Sequence, residues 1–460
     1  DSDTVNASAV GASGATTLAT ADNSASTTIG DGVRLRGLGI GITTTNRALE
    51  PLDGDNASGA GGGVANGSAV VSKTHFTTQS SVKVGDSTTL DVIGDPSSDS
   101  VGRLVMVAKT DLLTHTQGSL NTGGLIDIPY AEIESKTDGH NSVEVGSSAQ
   151  LRSAGDIIIG TGTFNRTEAD TLLKTYGGVG ITGGKSLAES QQTDSIKVGA
   201  SSVLKAYGDI AINTGRDADN AANLVQAKAT TDVYNNTAIP ISYQNPAIAN
   251  ISQTASIELV AGSQVQAGRN VYLRTYQGDQ ITQADGEGHN PYLDLFSTST
   301  SDSRRSASFT GTLKAGGDVV AGYYRLRDFS IDGAGTLSQV TDSPELQLPV
   351  KTFSMDASGN YFNAQGQQVS ANEVLRPEGF IAKITGFSPN YYYTDATKQK
   401  LGKLPTQTFN AYVLPDLVAA GGSIEVDASS VTGAGSLTAR GGPLICVGFR
   451  LVQRQSRVPA

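Results

Sequence analysis

One phrase of alternating residues returns along this chain at long, nearly regular intervals. Its clearest copy is Ile196-Lys197-Val198-Gly199, then Val203-Leu204-Lys205-Ala206, a Gly208-Asp209 corner and Ile210-Ala211-Ile212. Upstream stand Val143-Glu144-Val145-Gly146, Leu151, Gly155-Asp156 and Ile157-Ile158-Ile159; downstream stand Ile257-Glu258-Leu259, Val265, Gly268-Arg269-Asn270 and Val271-Tyr272-Leu273. The first apolar residues of the copies, Ile29, Val82, Val143, Ile196, Ile257 and Phe309, are spaced by 53, 61, 53, 61 and 52 residues. A long fixed period built from short strands marks a repeat architecture. The alternation of two spacings predicts a longer loop in every second unit, at Leu120–Ala131 and Ala238–Pro246.

Within a unit the apolar residues recur with period two, as at Ile196 and Val198, Leu204 and Ala206, or Ile210 and Ile212. One face of each strand is therefore inward and the other outward. Small Gly, Asp and Ser corners separate the runs, with no helical segment between them. This is the pattern of an all-β solenoid of parallel strands, with about three coils of roughly 18–20 residues per unit, each rising about 4.8 Å. A β-sandwich of hairpins would instead place Asn-Gly or Asp-Gly turns between paired strands. What recurs is an acid or amide after glycine at one corner, at Asp156, Asp209, Asn270 and Asp318, where stacked side chains can bond the next coil's backbone.

The expected domains are solenoid repeats over 1–335, an inserted β-rich segment over 336–416, a return to the solenoid over 417–442, and a basic tail over 443–460. The insert collects prolines and aromatics, including Tyr391-Tyr392-Tyr393, and Asp356–Asn363 reads as a strand–turn–strand element. The tail carries Arg450, Arg454 and Arg457 without an acid. The chain begins without Met and mid-repeat, which reads as a mature protein or a segment of a larger one.

Only 17% of residues are charged and 6% aromatic, which suits narrow stacked coils better than ordinary globules. The net charge of −11 opposes binding to a phosphate backbone, so nucleic acid is not an expected partner. A single cysteine, Cys446, excludes an internal disulfide framework, and its apolar run Leu444-Ile445-Cys446-Val447 reads as buried. No apolar run reaches the ~20 residues of a membrane span.

With these repeats laid out, the chain resembles the repeat region of large secreted bacterial exoproteins of the filamentous-haemagglutinin kind, nearest to the leukotoxin-type adhesins. The likeness rests on Tyr176-Gly177-Gly178-Val179-Gly180, Ala188, Ile196-Lys197-Val198-Gly199-Ala200-Ser201-Ser202 and Ala206-Tyr207-Gly208-Asp209-Ile210-Ala211-Ile212. It covers roughly 1–335 and 417–442. The resemblance implies a right-handed parallel β-helix at the cell surface, with host or neighbouring-cell proteins or glycans, or copies of itself, as partners. Filament or sheath assembly is the alternative function, and a carbohydrate-active β-helix enzyme the second alternative.

Catalysis on such a surface needs acids gathered on one strand face. Asp53 with Asp55, and Asp99, Asp111 and Asp127, read instead as solvated loop residues. His75, His115, His140 and His289 lie far apart and beside loops, without ligand spacing. Gly139-His140-Asn141 and Asp285-Gly286-Glu287-Gly288 offer corner oxygens for Ca2+, but neither matches a calcium loop, so no cofactor is expected. Gly61-Gly62-Gly63 and Gly183-Gly184-Lys185 read as corners, and Tyr391, Tyr392 and Tyr393 as the binding surface, for protein or glycan. Six N-x-S/T sequences begin at Asn6, Asn56, Asn66, Asn165, Asn235 and Asn250.

Overall fold

A computed structural model describes residues 2–50, 55–92, 102–206, 208–217, 221–242, 245–290 and 301–322, short segments between 329 and 369, and 407–412, 422–439 and 441–447. The described residues form strands, turns and bends, with no helix. A 15-stranded sheet and a 7-stranded sheet hold the repeats, and every strand pair in both is parallel.

The register gives the meaning of the long period. Val82 pairs with Val143, Val143 with Ile196, Ile196 with Ile257 and Ile257 with Leu313. Each strand's hydrogen-bonded neighbour is therefore one whole repeat away. A repeat contributes one rung of about 4.8 Å, not the three coils expected from its internal corners. The reason is visible in the long strands. Asp55–Val84, Arg103–Val145 and Asp156–Val198 run on through Gly61-Gly62-Gly63 and Gly183-Gly184-Lys185, which lie inside strands.

The phrase boundaries shift slightly at both ends. Ile29 pairs with Val84 instead of Val82, and Phe309 pairs with Gln253, leaving Leu313 opposite Ile257. Cross-repeat bonds accordingly span 55, 61, 53, 61 and 56 residues in succession. The longer unit gains most of its residues before Ala238–Pro246. The offset is 53 residues at the Asp156–Asp209 bond and already 60 at the Asn223–Thr163 bond, so most of the added chain lies in 214–223. One further residue enters between Ser242 and Ala247, where the offset reaches 61. Leu120–Ala131 adds nothing, since Arg103–Val145 keeps one offset to Asp156–Val198 throughout. The earlier excess falls between Val92 and Arg103.

Each repeat encloses two kinds of interior. Four-residue strands such as Thr89–Val92, Gln150–Ser153, Val203–Ala206 and Gln264–Ala267 form the smaller sheet and face an apolar core. There Leu104, Ile157, Ile210, Val271 and Ile424 form one inward column, and Met106, Ile159, Ile212, Leu273 and Val426 the next. The remainder of the repeat runs out along one wall and back along another. The walls meet through Thr110–Asn141 (2.6 Å), Thr114–Ser135 (2.9 Å) and Thr171–Ser186 (2.7 Å). Small residues allow this approach: Ala131, Ala169, Ala188, Ala227 and Ala249 are fully buried. A Cβ on Gly118 would come within 2.0 Å of Ile133 Cδ1.

Away from these sheets, Val350–Met355 pairs antiparallel with Tyr361–Asn363 and Gln407–Tyr412, and Gln368–Val369 completes four strands. Gly441–Val447 pairs parallel with Gly422–Asp427, carrying the stack past residue 442.

Candidate functional site

The corners come first because they position everything outside them. Asp156 Oδ1 accepts from the Asp209 N–H at 2.8 Å, Asp209 Oδ1 from the Asn270 N–H at 2.9 Å, and Asn270 Oδ1 from the Ser423 N–H at 3.0 Å. A carboxylate or amide thus satisfies a backbone donor one repeat on. Burial raises the Asp209 carboxyl, opposed by its bonds from Asn270 and the charge of Arg269. Asp318 belongs to a different column. It pairs with Gln264 at the start of a four-residue strand, and its Oδ1 accepts from the Ser436 N–H at 3.0 Å. A second ladder, also of acids that follow glycine at Gly30-Asp31 and Gly85-Asp86, runs from Asp31 through Asp86 to the Ser147 N–H. Beside it Gly32, Ser87, Ser148, Ser201 and Gly262 all adopt φ between 56° and 80°. Three L-residues therefore occupy a left-handed turn that glycine fills in the flanking repeats.

On the outer face of the outgoing wall lies a groove of about 740 Å³, lined by residues that include Gln117, Asp170, Leu172, Lys228 and Asp232. The register gathers groups there that are far apart in sequence. His115 stands opposite Glu168, and Gln117 opposite Asp170. His115 Nε2 lies 3.0 Å from Asp170 Oδ2 and 3.9 Å from Glu168 Oε2, with Gln117 Nε2 also at 2.8 Å. Glu168 is held by Arg166 Nη2 at 2.6 Å. Burial works against ionisation of Asp170, but its bond to His115, the Lys228 charge and the Thr230 hydroxyl prevail and hold its carboxyl below the ordinary range.

Two rungs away a second set forms. Asp232 pairs with Glu287, and Tyr234 with His289, whose ring stacks on Tyr234 at 4.5 Å and 17°. His289 Nε2 lies 3.1 Å from Glu287 Oε2. Burial raises the Asp232 carboxyl; His289 opposes this, while Glu287, Asp285 and Asp170 add to it. His75, His115 and His140 thus sit inside strands, while His289 is the last residue of its strand. One repeat offset brings Glu168 and Asp170 to His115 and Asp232 to His289, while Glu287 lies two residues before His289 on the same strand.

Where the outgoing wall passes into the returning one, the outer face is apolar. Ile126, Val179 and Ile239 form one column across three repeats, and Ile128, Ile181 and Ile241 the next. Ile126, Ile128, Ile239 and Ile241 are 45–55% exposed, joined by Leu125 at 62%. The bend depends on Gly177, at φ +132°, where a Cβ would sit 1.8 Å from the Gly124 carbonyl oxygen.

Several expectations change. Asp127 is no solvated loop acid: it is fully buried, with Asn66, Thr122 and Thr175 bonded to its carboxylate. Asp111 lies in a strand and pairs with Arg47 at 2.8 Å. Asn66, Asn165 and Asn235 are interior, so half of the N-x-S/T acceptors are inaccessible in the folded chain. Cys446 continues the inward column of Val426 but lies on the last described strand and is exposed among the described residues. Tyr391, Tyr392 and Tyr393, like Asp53 and Asp99, lie outside the described residues. No protein-family model, curated protein or solved structure matches the chain.

Proposed function

We propose that the chain is a section of an extracellular, non-enzymatic β-solenoid, a right-handed parallel β-helix of the filamentous-haemagglutinin kind, whose task is adhesion. The observation that carries the adhesive reading is the aliphatic face of Ile126, Ile128, Ile239 and Ile241, with Leu125 beside it. Contiguous exposed aliphatic columns on a rigid sheet are a contact surface. The parallel pairing that links strands one repeat apart, from Ser2–Ala7 through to Gly441–Val447, supports the solenoid, because inward columns continue from rung to rung. Assembly into filaments, with copies meeting through that same aliphatic face, is the second reading.

Beads coated with the chain should adhere to cell monolayers, and a variant with Ile126, Ile128, Ile239 and Ile241 all replaced by Asn should lose most adhesion while keeping its melting temperature. Equal adhesion by that variant contradicts the role given to this face. Cleavage of acidic polysaccharides, abolished by Asp170→Asn or Asp232→Asn, would replace the adhesive reading with an enzymatic one. Filaments in electron micrographs would favour the assembly reading.

A further inference from the structure

We infer that Asp232, Glu287 and His289 form a binding site for a divalent transition-metal ion of the zinc type, independent of the adhesive face. One carboxylate oxygen from each acid and one imidazole nitrogen lie within 4.8 Å of one another. The arrangement is built by the fold. Asp232 and Glu287 are paired partners on adjacent rungs, and Glu287 and His289, two apart on one strand, project to the same side. Tyr234 packs flat under the His289 ring and fixes its plane. The His289 side chain is 36% exposed, but its Nε2 is covered at the atom and has no hydrogen bond among the described residues, although Glu287 Oε2 is 3.1 Å away.

The neighbouring set explains why this one and not the other is assigned. Around His115 the charges are already matched, since Arg166 holds Glu168 at 2.6 Å and His115 holds Asp170 at 3.0 Å. Around His289 the acids are in excess. Asp232, Asp285 and Glu287 crowd one another, and Asp170 adds to them across the groove. Lys174 lies over the Tyr234 ring at 5.7 Å, and Lys228 acts on Asp170. A cation supplies the missing charge. An imidazole with two carboxylates and an open fourth position suits Zn2+. Ca2+ is disfavoured because it takes six to eight oxygen ligands and gains nothing from the imidazole.

The test is a calorimetric titration of the EDTA-treated full chain with ZnCl2, repeated with CaCl2. One equivalent of Zn2+ should bind, and the melting temperature should rise with Zn2+ concentration. His289→Gln and Asp232→Asn should each weaken binding at least tenfold while melting like the parent chain in EDTA. His115→Gln should bind as the parent does. Absence of Zn2+ binding overturns the assignment. So does binding that survives His289→Gln, binding lost in His115→Gln, or Ca2+ binding as tight as Zn2+ binding. If a single variant fails to fold, Glu287→Gln provides the same comparison.

Discussion

The two interiors of each repeat solve one packing problem with opposite chemistry. Around the four-residue strands the inward columns are mostly Leu, Ile, Val, Met and Ala from one apolar cluster, with buried Ser153 as a polar member of one column. Between the two walls the inward columns alternate alanine with Ser, Thr and Asn, and hydrogen bonds cross the gap. Asn141 Nδ2 donates to Asp194 Oδ1 at 3.0 Å and to Thr163 Oγ1 at 2.8 Å, while Asn165 Nδ2 donates to Ser190 Oγ at 2.7 Å. The apolar part holds most of the large side chains. Between the walls most inward side chains are short and bond one another, and the larger ones sit where a glycine leaves room, as Ile133 does beside Gly118 and Leu120 beside Gly59. The first interior is held by burial, which is non-directional. The second is held by partners that must all be present.

That contrast can be broken at its strongest point first. Ile157→Ala removes a fully buried side chain from a column five residues deep, and should cost about 2–5 kcal/mol in a denaturant titration. Asn141→Ala should cost about 1–3 kcal/mol, because it strips a bond from buried Asp194 and Thr110 together. If Asn141→Ala proves harmless while Ile157→Ala is severe, the polar walls contribute little and the contrast fails.

The same polar network should respond to pH. Burial raises the Asp194 carboxyl from its ordinary 3.8, against bonds from Asn141, Asn223, Gln192 and Thr161. The folded state keeps this proton at a pH where the unfolded chain has released it. Stability from this group is therefore full below 3.8 and is lost as pH rises through the folded value. Subtracting the stability profile of Asp194→Asn from that of the parent chain should leave a curve falling with pH above 3.8. A flat difference would show that the carboxyl titrates normally.

The smallest effect belongs to the corners. Ser148, at φ 57°, occupies the turn that Gly32 and Gly262 fill in other repeats. Ser148→Gly should stabilise by about 0.5 kcal/mol, the relief of the left-handed backbone less the added freedom of glycine when unfolded. A loss of stability would mean that the serine side chain supports the corner.

Much of this was legible from residues alone, and the remainder failed for physical reasons. Alternation marks Ile196, Val198, Ile210 and Ile212 as inward, and they are. It cannot say whether the chain turns at Gly183-Gly184 or runs straight on, because a strand through glycine keeps the same period of two. This hid the single rung per repeat. Glycine before an acid also grouped Asp318 with Asp156 and Asp209, although only hydrogen-bonded register tells one corner from another. The histidine sets lack sequence spacing because their ligands come from different rungs. His115 meets Glu168, and His289 meets Asp232, only after the chain is laid over itself at its repeat offset. The outward isoleucines alternate in sequence like core residues, and nothing local distinguishes the two faces.

The central claim is that one repeat makes one rung. Lys83, Glu144 and Lys197 lie in one column across successive repeats, and their side chains are 56%, 43% and 50% exposed. Nitroxide labels on Lys83→Cys and Lys197→Cys, in a Cys446→Ser background, would read the distance between them by electron paramagnetic resonance. Two rungs separate these backbones, so the account predicts about 10 Å and strong dipolar broadening. Three coils per repeat would place them about 29 Å apart, and a spectrum without that broadening would contradict the fold described here.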